Sequence, residues 1–320
     1  MKILLVKTTS MGDVVHALPV VHDIKSRFPQ AEIHWLVEAS FAGIPQSCGA
    51  VDRVLTCQVR AWRKKLFAKE TRAAVSALSS ALKAERYDAV IDLQGLLKSV
   101  FLARMAGVAV SGYDADSIKE PLASRFYTHK FTVSRKLPAI DRCRALAAQA
   151  LGYEVPTDAP HFGIDPAAQS GNTVLFFANT SRDTKLWPEA KWVELGQKVC
   201  ALGMNILLPW GSEEERQRVN RLAQGIGAGA SVPDRKSIRE MIDIIRSSRA
   251  TVGLDTGMTH LSAAVGIPTV GIFRDYPIEL VPLVGNGPKV GLGGVDCCPE
   301  VTEVYSALEK VIHVHSASDL

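Results

Sequence analysis

Long hydrophobic runs are the first thing this chain lacks. None approaches the roughly 18 apolar residues of a membrane span, so any contact with a bilayer is expected at its surface. Cysteine pairs are missing too. Six cysteines (Cys48, Cys57, Cys143, Cys200, Cys297 and Cys298) occur without a CxxC spacing, and an adjacent pair makes a poor disulfide and a poor zinc site. A reducing compartment fits that usage. No strand-like run leads into GxGxxG, and Gly225-Ile-Gly-Ala-Gly229 has the wrong spacing, which argues against a dinucleotide-dependent hydride transfer. GxxxxGK[ST], HExxH and GxSxG are also absent, against P-loop NTPases, zinc proteases and α/β-hydrolases. Neither sign of charge dominates: 37 Lys and Arg meet 33 Asp and Glu, a net +4. That is too mild for a nucleic-acid partner, although it suits an anionic ligand or surface.

What is present is ordinary globular composition, 47% hydrophobic and 22% charged over 320 residues. At roughly 100–200 residues per domain the length favours two domains. Met1–Lys7 reads as a first strand and not a leader, because Lys7 interrupts the apolar run and no small-residue cleavage site follows. Short Leu-rich or β-branched runs then alternate with segments of helical period, the pattern of parallel α/β layers. Strands are expected at Lys2–Val6, Glu32–Val37, Val51–Leu55 and Asp88–Asp92, then at Thr173–Phe177, Asn205–Leu208, Thr251–Leu254 and Thr269–Phe273. The Pro- and Gly-rich stretch from Gly152 to Gly171 reads as a linker between two doubly wound units.

Four places combine chemistry with position. Thr8-Thr-Ser-Met-Gly-Asp13 follows the first strand, and Asp13 opens a helix whose Val14, Leu18, Val21, Ile24 and Phe28 share a face. Gly12 lets the backbone turn, and the strand end is where open α/β sheets bind ligands. A carboxylate held ionised there suits a base that accepts a proton late in attack. The alternative is an ordinary N-terminal helix acid. Pro19 is expected to kink or restart that helix. After the Thr173–Phe177 strand, Thr180, Ser181, Arg182 and Lys185 offer hydroxyls and cations that could grip a diphosphate. In Gly253-Leu-Asp-Thr-Gly-Met-Thr-His260 the N–H groups of Thr256 and Gly257 open a helix and form an anion site, with Asp255 placed for sugar hydroxyls. His260 lies one turn in and is as well explained by packing. Asp-Thr-Gly is also the aspartic protease signature, but a single copy feeding a helix argues against it. Finally, Arg60 to Arg72 carries six basic residues against one acid, with Trp62 and Phe67 between them, a pattern suited to phosphorylated lipid headgroups or to plain solvation. Asp114-Ala-Asp116 matches a short metal-binding DxD without supporting context, and no metal is expected there.

These motifs together resemble the bacterial lipopolysaccharide heptosyltransferases, glycosyltransferase family 9. The resemblance runs through Lys7–Pro19, Tyr87–Lys98, Lys119–Tyr127, Leu208–Gly211 and Asp255–His260. It implies a GT-B architecture, two Rossmann-like domains facing across a cleft, with residues 1–158 binding acceptor and 159–320 binding donor. The C-terminal segment would be free to pack back on the first domain. It implies an inverting, metal-independent transfer from ADP-L-glycero-β-D-manno-heptose to a Kdo residue of Kdo2-lipid A, with no cofactor. Asp13 would be the base. Thr180, Ser181, Lys185, Glu213, Asp255, Thr256, Gly257 and His260 would hold the donor, while Gly12, Arg60, Arg63, Lys64, Lys98 and Lys119 would meet the acceptor. Ala61 and Lys119 depart from a family pattern that often has Arg, and Lys loses the bidentate fork. The expected place of work is the cytoplasmic face of the inner membrane. The alternatives are the second heptosyl transfer, onto heptosylated core, and a non-catalytic nucleotide-sugar binder.

Overall fold

Among the described residues every strand is paired in parallel, and each of the two sheets has six strands. The structure is a computed structural model that describes residues 1–65, 67–165 and 171–318. Part of the expected linker, 166–170, and Leu66 of the basic stretch lie outside the described residues. Two compact units divide at Asp158 and Ala159.

The first unit runs β1 (Lys2–Val6), α1 (Met11–Ala17), α2 (Pro19–Arg27), β2 (Glu32–Glu38), α3 (Gly43–Gln46), β3 (Arg53–Cys57), α4 (Val59–Lys64) and α5 (Lys69–Ala84). It continues with β4 (Ala89–Asp92), α6 (Leu97–Arg104), β5 (Val110–Tyr113), β6 (His129–Phe131) and α7 (Ala139–Leu151). The second runs β7 (Thr173–Phe177), α8 (Glu189–Ala201), β8 (Asn205–Leu207), α9 (Glu213–Ile226), β9 (Ala230–Ser231) and α10 (Ile238–Ser247). It ends with β10 (Ala250–Leu254), α11 (Gly257–Val265), β11 (Thr269–Phe273), β12 (Lys289–Gly293) and α12 (Val301–Ser318). The first sheet is ordered β3-β2-β1-β4-β5-β6 and the second β9-β8-β7-β10-β11-β12. Numbered within its own unit, each has the 3-2-1-4-5-6 order of a doubly wound sheet. The order in which strands are added therefore reverses between β1 and β4 and between β7 and β10, and a crevice opens beyond those strand ends.

Burial on both faces explains why the central strands read as continuous apolar runs. Leu4, Leu5, Val6, Val252 and Leu254 are fully buried. Pro19 sits at the first position of α2 and restarts the helix after Leu18, where its missing N–H costs nothing. β3 begins two residues later than the pattern predicts. Asp52 explains the shift: its carboxylate accepts the Ile33 N–H at 2.7 Å and the Lys25 ammonium at 2.8 Å, so pairing starts at Arg53. Gly253 has its own reason. A Cβ there would stand 2.2 Å from the Thr259 hydroxyl, which hydrogen-bonds the Leu254 carbonyl at 2.6 Å and seats α11 tightly on β10.

One buried ion pair ties α2 to α7. Arg144 Nε and Nη2 donate to Asp23 at 2.7 and 3.0 Å, and Nη2 also reaches the Pro156 carbonyl at 3.1 Å. Both side chains are almost wholly buried. Removing one partner leaves a buried charge uncompensated, so Arg144→Ala is expected to destabilise the first unit by about 3–5 kcal/mol. Urea unfolding should show a lowered midpoint, and an unchanged midpoint would contradict a structural role for the pair.

Candidate functional site

The loop from β1 to α1 is held by three hydrogen bonds from two side chains, one on β2 and one just after β4. The Trp35 indole donates to the Lys7 carbonyl at 3.2 Å, and Gln94 Oε1 accepts the N–H groups of Thr8 and Thr9, each at 3.0 Å. Gln94 follows β4, so this clasp spans the point where the first sheet reverses. The Thr9–Ser10 peptide is cis. The Lys98 ammonium reaches the Thr9 hydroxyl at 2.6 Å, placing a basic side chain of α6 on the same loop.

Asp13 lies in the first turn of α1, half-buried, with Gly12 beside it. Its carboxylate accepts the Ser10 N–H at 2.7 Å and the Ser10 hydroxyl at 2.8 Å. Burial raises its pKa, but the charge of Lys7, the two Ser10 bonds and His16 outweigh that and hold it below the ordinary carboxylate range. The group is a carboxylate at neutral pH. Lys7 was read from the sequence only as a break in an apolar run. It is a buried ammonium, bonded to the Leu93 carbonyl at 2.9 Å, and it supplies the largest opposing charge.

Asp92, at the end of β4, goes the other way. Fully buried, it accepts from Tyr127 Oη and Ser99 Oγ, each at 2.7 Å, and from the N–H groups of Gln94 and Gly95 at 2.9 and 3.3 Å. Burial dominates and raises its pKa. Asp92 shapes the turn that presents Gln94, a role invisible without the fold.

In the second unit the corresponding reversal carries an ion-pair cluster. Lys185, in a 3-10 turn after β7, is paired with the Asp255 carboxylate after β10. His260 Nε2 lies 3.1 Å from the other oxygen of Asp255. Burial raises the Asp255 pKa, yet the bonds from His260 and Lys185 with their charges lower it to about 2. Thr256 holds the N-cap position of α11 without a side-chain cap bond and Gly257 is the first helical residue, so the N–H groups at this helix start stand directly after Asp255. Asp275, after β11, was not anticipated: it accepts from Thr184 Oγ1 at 2.7 Å and lies 3.3 Å from Arg182 and 3.8 Å from Lys185. No local pattern pointed to it, because the pairing crosses the sheet. Thr180 is half-buried and Ser181 exposed in the turn before Lys185. Next to them, both polar atoms of the Asn179 amide are buried without a partner.

The remaining candidates are less assembled. Glu213 opens α9, exposed, and pairs with Arg216 at 3.6 Å and not with the Lys185 cluster, while Ser212 caps the helix by accepting the Glu215 N–H at 3.2 Å and the Glu215 carboxylate accepts the Ser212 N–H in return. Arg60 lies over the Phe41 ring at 5.6 Å, and Glu38 receives the Val59 N–H that starts α4. Arg63 and Lys98 line one groove. Lys64 and Lys119 are exposed. Asp114 spends its oxygens on the Ser117 N–H, at 2.9 Å, and the Thr132 hydroxyl, a turn and not a metal ligand. Among the described residues one trio, Glu32, His34 and Glu85, has ligand spacing. Lys2 already lies 2.8 Å from Glu85 and 3.4 Å from Glu32, and Arg53 pairs with Glu85. This charge-balanced network sits at the start of β1 and β2, the opposite end of the strands from Asp13, and does not suit a cation.

Two 3-2-1-4-5-6 units, one with an ionised carboxylate and one with a Lys–Asp–His cluster beside a helix N-terminus, offer a basic group at one strand reversal and a place for an anion at the other. Comparison with known proteins gives the family. The chain belongs to glycosyltransferase family 9 (heptosyltransferase), whose profile matches residues 75–310. It is 42% identical over 279 residues to lipopolysaccharide heptosyltransferase 1 of Pseudomonas aeruginosa, covering 85% of this chain and 78% of that one. The structure of E. coli heptosyltransferase WaaC with ADP is similar with a TM-score of 0.88 at 35% identity, over 98% of this chain and 99% of that chain. WaaC with ADP-2-deoxy-2-fluoro heptose matches with a TM-score of 0.83 at 35% identity, over 98% and 100%.

Because the folded Asp255 pKa of about 2 lies below its ordinary 3.8, the ionised form stabilises the second unit above about pH 4. That contribution, about 2 kcal/mol, is lost as pH falls through about 2. Asp255→Asn is therefore expected to lower the melting temperature at pH 7, with the gap from wild type narrowing between pH 4 and 2. A gap independent of pH would contradict the ion-pair assignment.

Proposed function

We propose that this chain is an inverting, metal-independent heptosyltransferase that moves L-glycero-D-manno-heptose from ADP-heptose to a Kdo residue of Kdo2-lipid A. One observation carries the reading: Asp13, a carboxylate kept ionised by Lys7 and Ser10, stands at the strand reversal of the first unit. The family, the named relative and the ADP-heptose analogue held by the similar structure support the donor.

In this reading a Kdo hydroxyl attacks the anomeric carbon of the heptose as the bond from that carbon to the ADP β-phosphate oxygen breaks. The electron pair leaves with ADP, the configuration inverts, and the hydroxyl proton passes to Asp13. A weakly basic carboxylate suffices because the hydroxyl grows acidic only as its bond to carbon forms. Lys185, the hydroxyls of Thr180 and Ser181, and the N–H groups of Thr256 and Gly257 take the charge that accumulates on the diphosphate. Asp255 and Glu213 accept from sugar and ribose hydroxyls, and His260 keeps Asp255 oriented. Gly12, Arg60, Arg63, Lys64, Lys98 and Lys119 receive the carboxylates and phosphates of the acceptor. No described helix is long and apolar enough to cross a membrane, and the basic segment in α4 and α5 holds the chain at the cytoplasmic face of the inner membrane.

Asp13→Ala is expected to lower kcat by about 10²–10⁴ or more with ADP affinity nearly unchanged, since the base acts in the transition state alone. Lys185→Ala should weaken ADP binding and turnover together. Calorimetry with ADP beside steady-state rates checks both. Full turnover by Asp13→Ala, or wild-type ADP affinity in Lys185→Ala, would contradict the assigned roles.

A further inference from the structure

Asp275 has no part in the chemistry assigned so far, yet it lies against the cluster that does. It stands just past the end of β11, and that exit is pinned. The Arg274 guanidinium donates to the Leu186 carbonyl, and the Arg274 carbonyl accepts the Asp296 N–H at 3.2 Å. The two oxygens of Asp275 are then used unequally. Oδ2 accepts from the Thr184 hydroxyl at 2.7 Å and lies 3.3 Å from Arg182. Oδ1 is buried and has no hydrogen-bond partner among the described residues, although it stands 3.8 Å from the Lys185 ammonium. A buried carboxylate oxygen without a hydrogen bond is costly, and a binding site that keeps one is built for a proton donor that arrives with the ligand.

Charge tells which part of a ligand belongs there. Lys185 and Arg182 face Asp255 and Asp275, so cations and carboxylates are already matched within the cluster. Diphosphate oxygens accept and do not donate, and beside the spare oxygen of Asp275 they meet a like charge. A sugar hydroxyl does the opposite, since it donates to a carboxylate and brings no charge. Strand order supports the same division. The diphosphate is assigned to the loop after β7 and to the start of α11 after β10, whereas Asp275 follows β11, the next strand outward. The Lys185 ammonium lies between the Asp255 and Asp275 carboxylates, so Asp275 borders the anion site and does not fill it. A free nucleoside diphosphate also differs from its sugar ester at the terminal phosphate, which gains a further charge above about pH 6 once the sugar has gone.

We infer that Asp275 is a specificity-determining residue of the donor site: its free oxygen accepts from a hydroxyl of the transferred sugar and opposes the added charge of the nucleoside diphosphate left after transfer. The inference rests on the proposed reading that the Lys185 cluster holds the diphosphate of the donor. One carboxylate then favours the intact nucleotide sugar on entry and disfavours the spent nucleotide after the sugar has left.

Calorimetry with three ligands separates the two effects: ADP, ADP methylated on its terminal phosphate, and ADP-2-deoxy-2-fluoro heptose. The methyl ester removes the added charge without supplying hydroxyls, and the fluorinated donor removes it and supplies them. At about pH 7.5, where the terminal phosphate of ADP carries its second charge, wild type should bind the ester about fivefold tighter than ADP. It should bind the fluorinated donor about tenfold tighter again. Asp275→Asn keeps the size of the side chain and removes its charge. In this variant ADP should bind about fivefold tighter than in wild type, the first step should fall to within about twofold, and the second should shrink about fivefold. Asp275→Ser removes the carboxylate altogether and should also lose both steps. A merely structural role would weaken all three ligands by the same factor, and that result overturns the inference. Equal binding of ADP and its ester by wild type, or of the ester and the fluorinated donor, overturns it as well. Failure of wild type to bind ADP at all is a separate result: it removes the diphosphate reading of the cluster, and the inference falls with it.

Discussion

Each parallel sheet reverses its winding once, and at that reversal polar groups from one crossover meet polar groups from the other. In the second unit the meeting is the pair of Lys185, after β7, and Asp255, after β10. In the first it is the clasp of Gln94 on Thr8 and Thr9, with Lys7 bonded to Leu93 beneath it. A strand edge buried on both sides tolerates ionised groups only when they are matched. Matching is therefore what fixes these loops, and the chemistry available to each unit is what the matching leaves over.

Three carboxylates show how the same burial leads to different outcomes. Asp255 has a lysine and a histidine and is driven far below the ordinary range. Asp13 has Lys7 nearby and Ser10 in contact, and is lowered while staying half-buried and reachable. Asp92 has only hydroxyls and N–H groups, and its pKa rises. The cation decides the direction, and access decides the use. Asp92 is sealed and shapes a turn, Asp255 is tied into a binding cluster, and Asp13 alone combines ionisation with reach. That division is why the first unit suits proton transfer and the second suits a diphosphate.

Much of this was legible in the chain. The central strands β1, β4, β7, β10 and β11 are runs of buried apolar residues and were placed within a residue or so of their observed ends. The missed strands are marginal by composition: β5 contains Ser111 and Gly112, β6 has three residues, β9 has two, and β12 carries Gly291 and Gly293. Such segments pair because a neighbouring strand offers an edge, and no local pattern records that. The same holds for the sites. Asp13 and Asp255 were visible because strand end, Gly and helix start lie together in sequence. Lys7, Gln94 and Asp275 act across the sheet, so their roles became apparent only with the topology. Glu213 was named through family resemblance alone, and it pairs with Arg216 outside the Lys185–Asp255 cluster.

In the proposed reaction a carboxylate base drives transfer from a nucleotide sugar to a lipid-linked acceptor without a metal. The most direct measurement is ADP release by the purified protein supplied with ADP-heptose, with and without Kdo2-lipid A, in the presence of chelator. Release that needs both substrates and persists in chelator is the predicted result. Release from ADP-heptose alone, release abolished by chelator, or release only with an already heptosylated core would contradict it.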